Sequence, residues 1–204
     1  MGRTLHAEHG EPRTTSHDPG LAEREAIPIL TGEILAEIVR QAESGYPEEI
    51  CGMVIGRPGA PDTYGVRPVP NIANREPQDD PGGRPRDART AYKMDPLEQL
   101  RVLREVDARG WEVLAFYHSH PDHAAYFSAM DRERALMADG DPIWPGATYL
   151  VVSVIGGRAH GTAWYRWDAA RRDFCGHAVD LPEVSPDDSR ILRESSGLGG
   201  SRQH

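Results

Sequence analysis

The chain predicts one α+β domain, an α/β sandwich in which a mixed, mostly antiparallel sheet of six to eight strands is flanked by three helices. Three observations carry this prediction. Apolar residues recur at helical spacing in three segments bounded by cap and stop residues. Around them lie β-branched and aromatic runs, punctuated by Gly, Pro and Asp, that are too short for helices. The 204 residues suffice for one ordinary core with tails, so no second domain is required.

Residues 1–26 carry charges, Gly, Pro and three histidines, His6, His9 and His17, without apolar periodicity, and read as a disordered tail. The folded domain is expected over 27–181. Residues 27–30 read as a short strand, after which Thr31 caps a helix with Ile34, Leu35, Ile38, Val39 and Ala42 on one face. Gly45 and Pro47 end it. A strand carrying Glu49, Cys51 and Met53 runs to Gly56, residues 57–62 turn it back, and 63–69 form its partner. Residues 71–89 lack periodicity and are long for a connection in a compact domain; a functional flap and a surface insertion are both open readings.

A short strand is expected at 90–94. Asp95 then caps a helix with Pro96 in its first turn, Leu97, Leu100, Leu103 and Val106 or Val102 along one face, and Gly110 as its stop. Residues 111–117 read as a strand leading into His118. Ser128 caps a third helix, expected to pass Arg132, Ala135, Leu136 and Met137 and reach Gly140. Trp144, in the rigid connection 141–146, is a packed anchor or part of a substrate wall, with packing the default. Residues 148–155 form a continuous β-branched strand of central character, Gly156-Gly157 turns, 160–167 alternates as a further strand, and 174–179 closes the series. Residues 182–204 are tail-like, and Leu198-Gly199-Gly200 reads as flexible linker rather than a self-inhibitory tail.

A formal net charge of −9 argues against nucleic acid, whose binding rests on clustered Lys and Arg, and biases towards a basic partner. No apolar run approaches the length of a membrane span, and neither a leader nor a lipidation signal is evident, so a soluble, cytoplasmic protein is expected. A homodimer is left open. Cys51 and Cys175 are too few for a disulfide framework; each reads as a buried thiol at a strand end, with pairing between them left open.

The chemistry concentrates in 118–131. Side chains two apart on a strand point to one side, so His118 and His120 present their imidazoles together while Ser119 faces away. Asp131 lies three residues beyond the Ser128 cap, where a first-turn carboxylate reaches back towards the capping end. Two imidazoles and one carboxylate suit Zn²⁺ and leave a tetrahedral ion one position for water. Such a site needs a base. The pair Glu48-Glu49 leads into an apolar strand, and Glu49 shares parity with Cys51 and Met53 while Glu48 falls at the Pro47 turn; parity alone does not say which face is buried. His123 and Asp122, close to the histidine pair, read as loop residues rather than a fourth ligand.

Glu49-x-Cys51-Gly52, then His118-Ser119-His120, seven residues, Ser128, two residues and Asp131 resemble the JAMM (MPN+) metalloprotease family, in its short single-domain bacterial form. The resemblance spans roughly 27–179 and implies a cytidine-deaminase-like JAMM/MPN architecture. It also implies zinc on His118, His120 and Asp131, Glu49 as general base towards a zinc-bound water, and Ser128 steadying the tetrahedral intermediate. It decides for Glu49 over Glu48. The implied reaction is hydrolysis of the amide bond after the C-terminal Gly-Gly of a small β-grasp, ubiquitin-like sulfur-carrier protein. A general deubiquitinase-like isopeptidase, a small-peptide amidohydrolase and a non-enzymatic MPN-type scaffold are the alternatives; a deaminase is disfavoured because no Cys-x-x-Cys accompanies the histidines. One departure is Phe127, which precedes Ser128 where relatives often carry proline and so changes how the serine is held.

Overall fold

The computed structural model describes residues 32–75, 78–79, 85–179 and 181. The strand expected at 27–30, the Thr31 cap, both expected tails and Leu198-Gly199-Gly200 lie outside the described residues. Helix α1 (Gly32–Gly45) buries the five apolar residues that its spacing predicts. Strands β1 (Cys51–Arg57) and β2 (Ala60–Val69) pair antiparallel. Their turn is tighter than expected, because Gly59 adopts a φ of 77° that lets the chain reverse at once, so β2 starts at Ala60.

The long connection is not structureless. It contains a two-residue ribbon, β3 (Gln78–Asp79) and β4 (Pro85–Arg86). The strand expected at 90–94 does not form, and only an isolated bridge joins Asn71 to Met94. The Asn71 side chain occupies the backbone groups a ladder would use: its Nδ2 donates to the Ala91 carbonyl at 3.1 Å, and its Oδ1 accepts from Lys93 N at 3.0 Å.

Helix α2 (Pro96–Arg109) is capped as expected, with Asp95 Oδ1 accepting from Leu97 N and Glu98 N and Gly110 in a left-handed C-cap at φ 62°. Its buried face is a correction. Val102 is buried and Leu103 and Val106 pack partly, while Leu97 and Leu100 are 70% and 44% exposed. Each three-residue step falls about 60° short of a full turn, so the series from Leu97 to Val106 winds half-way around the helix.

Strand β5 (Glu112–Pro121) carries the extended run straight through both histidines. Helix α3 (Ala129–Ala135) is shorter than expected. Leu136 turns extended and bridges to Pro142, and Gly140 at φ 82° folds the chain back so that Met137 N donates to the Asp141 carbonyl. Strands β6 (Thr148–Ile155), β7 (Arg158–Asp168) and β8 (Asp173–Val179) complete a six-stranded sheet of order β2-β1-β5-β6-β7-β8. All neighbours are antiparallel except β5 and β6. This is the expected mixed α+β sandwich.

Helix α1 covers one face, with Ile38, Val39 and Ala42 packed among Val54, Val66, Ala115, Tyr117, Leu150 and Val152. On the other face Met53, Ile55, Phe116, Tyr149 and Val151 are covered by Val102 of α2, Ala135 of α3, Phe127 and the half-buried Trp144. Trp144 packs against Phe116 with ring centroids 5.6 Å apart and the rings tilted by 52°, the packed-anchor reading. The two thiols are free. Cys51 is buried and donates to the Val69 carbonyl, whereas Cys175 is only half-buried on β8, with β5, β6 and β7 between them. No described helix is long and apolar enough to cross a membrane.

Candidate metal centre

Alternation along β5 sends His118 and His120 towards the α2/α3 face and Ser119 to the opposite one, where its buried Oγ accepts from Ile50 N at 3.0 Å. The third donor is set by a reciprocal cap. Ser128 Oγ accepts from Asp131 N at 3.1 Å, and Asp131 Oδ2 accepts from Ser128 N at 2.8 Å. That same Oδ2 lies 3.5 Å from His118 Nε2 and 3.8 Å from His120 Nε2, and the two Nε2 atoms are 3.1 Å apart. A tetrahedral Zn²⁺ with bonds of about 2.0–2.1 Å sets its donors about 3.3–3.4 Å apart, so this triangle fits the ion. The donor chemistry fits too. His120 Nδ1 is 3.0 Å from the Ala124 carbonyl, and donating there leaves Nε2 as a lone pair aimed at the centre.

His118, His120 and Asp131 are all buried, and among the described residues they form the one His/Cys/Asp/Glu group spaced for a metal. Burial pushes the His118 imidazole below its ordinary range and keeps it neutral, as a ligand must be. Burial acts the same way on His120, but bonding to Asp131 and the Glu49 charge outweigh it and raise that ring. Burial would raise Asp131; the two imidazoles and Ser128 hold it well below the usual carboxylate range instead. The ring of Tyr92 stacks on His118 at 4.6 Å and fixes its plane.

Glu49 stands just before β1, 7% exposed, with its N–H donating to the Ala88 carbonyl at 2.6 Å and its carbonyl accepting from Asn71 Nδ2 at 2.9 Å. Glu48 is exposed and accepts from Asn74 Nδ2. Glu49 shares a cleft of about 410 Å³ with His120, Ser128, Asp131, Arg86, Tyr92 and Arg134. Burial pushes its carboxyl up to about 8, with Asp131 adding to the rise and His120 opposing it. A carboxyl in that range can take a proton near neutrality and give it back.

His123 lines the cleft but does not join the three donors; its carbonyl accepts from Ser153 Oγ. Asp122, at φ 57°, accepts from Gly156 N and from the Tyr46 hydroxyl, both at 3.0 Å. Phe127 replaces ring rigidity with packing: it is 5% exposed and wedged among Tyr149, Tyr165 and Phe174 at 5.0–5.2 Å, so Ser128 follows an immobilised residue. The sequence reading missed Asn71, Arg86, Tyr92 and Arg134. Only Arg134, one helical turn past Asp131, carried a spacing signal; the others come from a segment without periodicity.

Together the fold and this cleft define a peptidase of JAMM type. Residues 31–169 match the model of the family described as prokaryotic homologs of the JAB domain, and the chain belongs to that family. It is 35% identical over 120 residues to a desampylase of Haloferax volcanii, covering 59% of this chain and 73% of that one. It is 28% identical over 138 residues to a CysO-cysteine peptidase of Mycobacterium tuberculosis, covering 68% and 81%. A solution structure of a Desulfitobacterium hafniense protein shares the fold, with a TM-score of 0.52 at 23% identity over 77% of this chain and 94% of that one.

Proposed function

We propose that the chain hydrolyses the amide bond after the C-terminal Gly-Gly of a small ubiquitin-like sulfur-carrier protein, using zinc held by His118, His120 and Asp131. The carrying observation is the convergence of three buried donors, 3.1–3.8 Å apart, beside a buried glutamate in one cleft. When bound there, zinc supplies Lewis acidity and brings the acidity of water close to neutral pH. Glu49 accepts the proton of the attacking water and returns it to the leaving amine. Ser128 accepts from Asp131 N through a lone pair, so its own O–H proton is available to the developing oxyanion.

The names of the two relatives, a desampylase and a CysO-cysteine peptidase, support a ubiquitin-like or sulfur-carrier substrate. The intact donor set argues against a non-enzymatic scaffold. We place the working domain at 27–181 and the protein in the cytoplasm, where the free thiols Cys51 and Cys175 stay reduced. The test is incubation of zinc-loaded protein with Gly-Gly-extended carriers, followed by mass spectrometry. Trimming back to Gly-Gly is expected; carriers left intact would reject the reading, and cleavage only of ubiquitin-type isopeptides would move it to a deubiquitinase-like enzyme.

A further inference from the structure

We propose that Ser153 and Tyr165 are positioning residues for the metal centre: by gripping the carbonyls on either side of Ala124, they aim the Ala124 carbonyl at His120 Nδ1 and so keep Nε2 turned towards the metal. The proposal rests on the ligand assignment put forward above, in which His120 binds through Nε2.

The chain leaves the sheet after Pro121 and reaches α3 through residues 122–127, which belong to no ladder. Three successive carbonyls there are nevertheless held, each by a different strand. His123 O accepts from Ser153 Oγ of β6 at 2.7 Å, Ala124 O from His120 Nδ1 of β5 at 3.0 Å, and Ala125 O from the Tyr165 hydroxyl of β7 at 3.0 Å. A carbonyl only accepts, so the middle bond exists only with the proton on Nδ1, which is the tautomer that frees Nε2. Tyr126 N donates to the same Ala124 oxygen at 3.0 Å, and Asp122 N pins the start of the loop to the Val154 carbonyl at 2.7 Å. Displacing the Ala124 carbonyl by roughly 0.5 Å would take the imidazole bond to the limit of hydrogen bonding, so the hold on its neighbours sets the aim of the ring.

Strand register places both hydroxyls. Ser153 sits directly opposite His120 in the parallel β5–β6 pair, two residues past Val151 on the same face. It is 5% exposed, at a place where an apolar side chain would extend the layer but could not hold a carbonyl. Tyr165 sits opposite Tyr149 on β6, and its ring lies nearly parallel to Phe127 at 5.2 Å. Phe127 precedes Ser128, whose cap sets Asp131. One tyrosine therefore braces both approaches to the centre, the loop that orients an imidazole and the residue that leads to the carboxylate.

The test measures zinc affinity by competition with a chromophoric chelator, the visible absorption of the cobalt-substituted protein, and stability in urea. Losing the group that a metal-bound imidazole leans on typically costs 10–100-fold in affinity. Ser153→Ala and Tyr165→Phe should each weaken zinc about 10-fold, the double variant up to about 100-fold, and both should alter the cobalt spectrum. Tyr165→Phe keeps the ring against Phe127, so it tests the hydroxyl alone should Ser153→Ala fold poorly. Tyr117→Phe is the control: it removes a hydroxyl bonded to Gln41 Oε1 at 2.7 Å on the α1 face, and should lower stability while keeping the affinity and cobalt spectrum of wild type. Wild-type affinity and spectrum in Tyr165→Phe and Ser153→Ala, or an equal loss of affinity in Tyr117→Phe, would overturn the proposal and leave the ligand assignment standing. Wild-type protein that holds zinc no more tightly than His118→Ala would instead remove the ligand assignment, and the proposal with it.

Discussion

The two faces of the sheet are made by the same strands and solve opposite problems. On β5, Ala115 and Tyr117 turn towards α1 and complete an apolar layer in which Ile38, Leu150 and Val152 are fully buried. Phe116, His118 and His120, one residue out of step, turn towards α2 and α3, where Glu49 and Asp131 are buried as well. The α1 face is stabilised mainly by the hydrophobic effect, with a few hydrogen bonds such as that from the Tyr117 hydroxyl to Gln41 Oε1. The other face keeps ionisable groups away from water, which is unfavourable unless an ion and hydrogen bonds compensate. Structure and reactivity are thus divided between faces by the two-residue period of a strand.

The largest expected effect is on the reactive face alone: Glu49→Gln should lower the hydrolysis rate by about 10²–10⁴-fold while metal analysis finds zinc retained. Loss of zinc in that variant would mean that Glu49 is a ligand and not a base. Chelation should lower the melting temperature of wild-type protein by roughly 10 °C but leave His118→Ala nearly unmoved, since only a chain that binds the ion gains from it. Conversely, Ile38→Ala on the α1 face should cost about 2–5 kcal/mol in urea denaturation with zinc content unchanged. A drop in zinc there, under folding conditions, would show that the two faces are coupled.

A pH series sharpens the contrast. Because burial raises Glu49 from the ordinary 4.5 to about 8, its favourable contribution is complete below pH 4.5 and is lost as pH rises through 8. Metal-free wild-type protein should therefore lose roughly 4 kcal/mol relative to Glu49→Gln over that window, and chemical denaturation at several pH values reads it. Parallel curves for the two proteins would contradict the burial argument. The smallest effect belongs to the α1 side, where Thr148 Oγ1 is buried without a hydrogen-bond partner among the described residues; Thr148→Val should be neutral or stabilise by about 1 kcal/mol in the same assay.

Much of this was legible because it is periodic or local. The α1 face, the β6 strand and the Ser128–Asp131 cap follow from spacing, and the histidine alternation follows from parity. Helix α2 misleads because leucines three apart look like a stripe but wind around the cylinder, and only tertiary contact at Val102 and Val106 picks the buried arc. The segment 87–93 around Tyr92 has no period, since the Asn71 and Asn74 side chains bond its backbone at Ala88, Ala91 and Lys93 where a ladder would otherwise do so. Nothing in a one-dimensional pattern announces such amide staples, so the wall they build could not be read.

The single side-by-side pairing of β5 with β6 has one more consequence. Strands running the same way cannot be joined by a tight reversal; the chain must leave at the far end of β5, cross a face and re-enter at the near end of β6. That obligatory detour is residues 122–147, and it carries Ser128, Asp131 and Arg134 past the tip that presents His120. A hairpin at this place would have saved some two dozen residues and left the imidazoles with no carboxylate beside them, so the direction of one strand is what makes room for chemistry at the end of its neighbour.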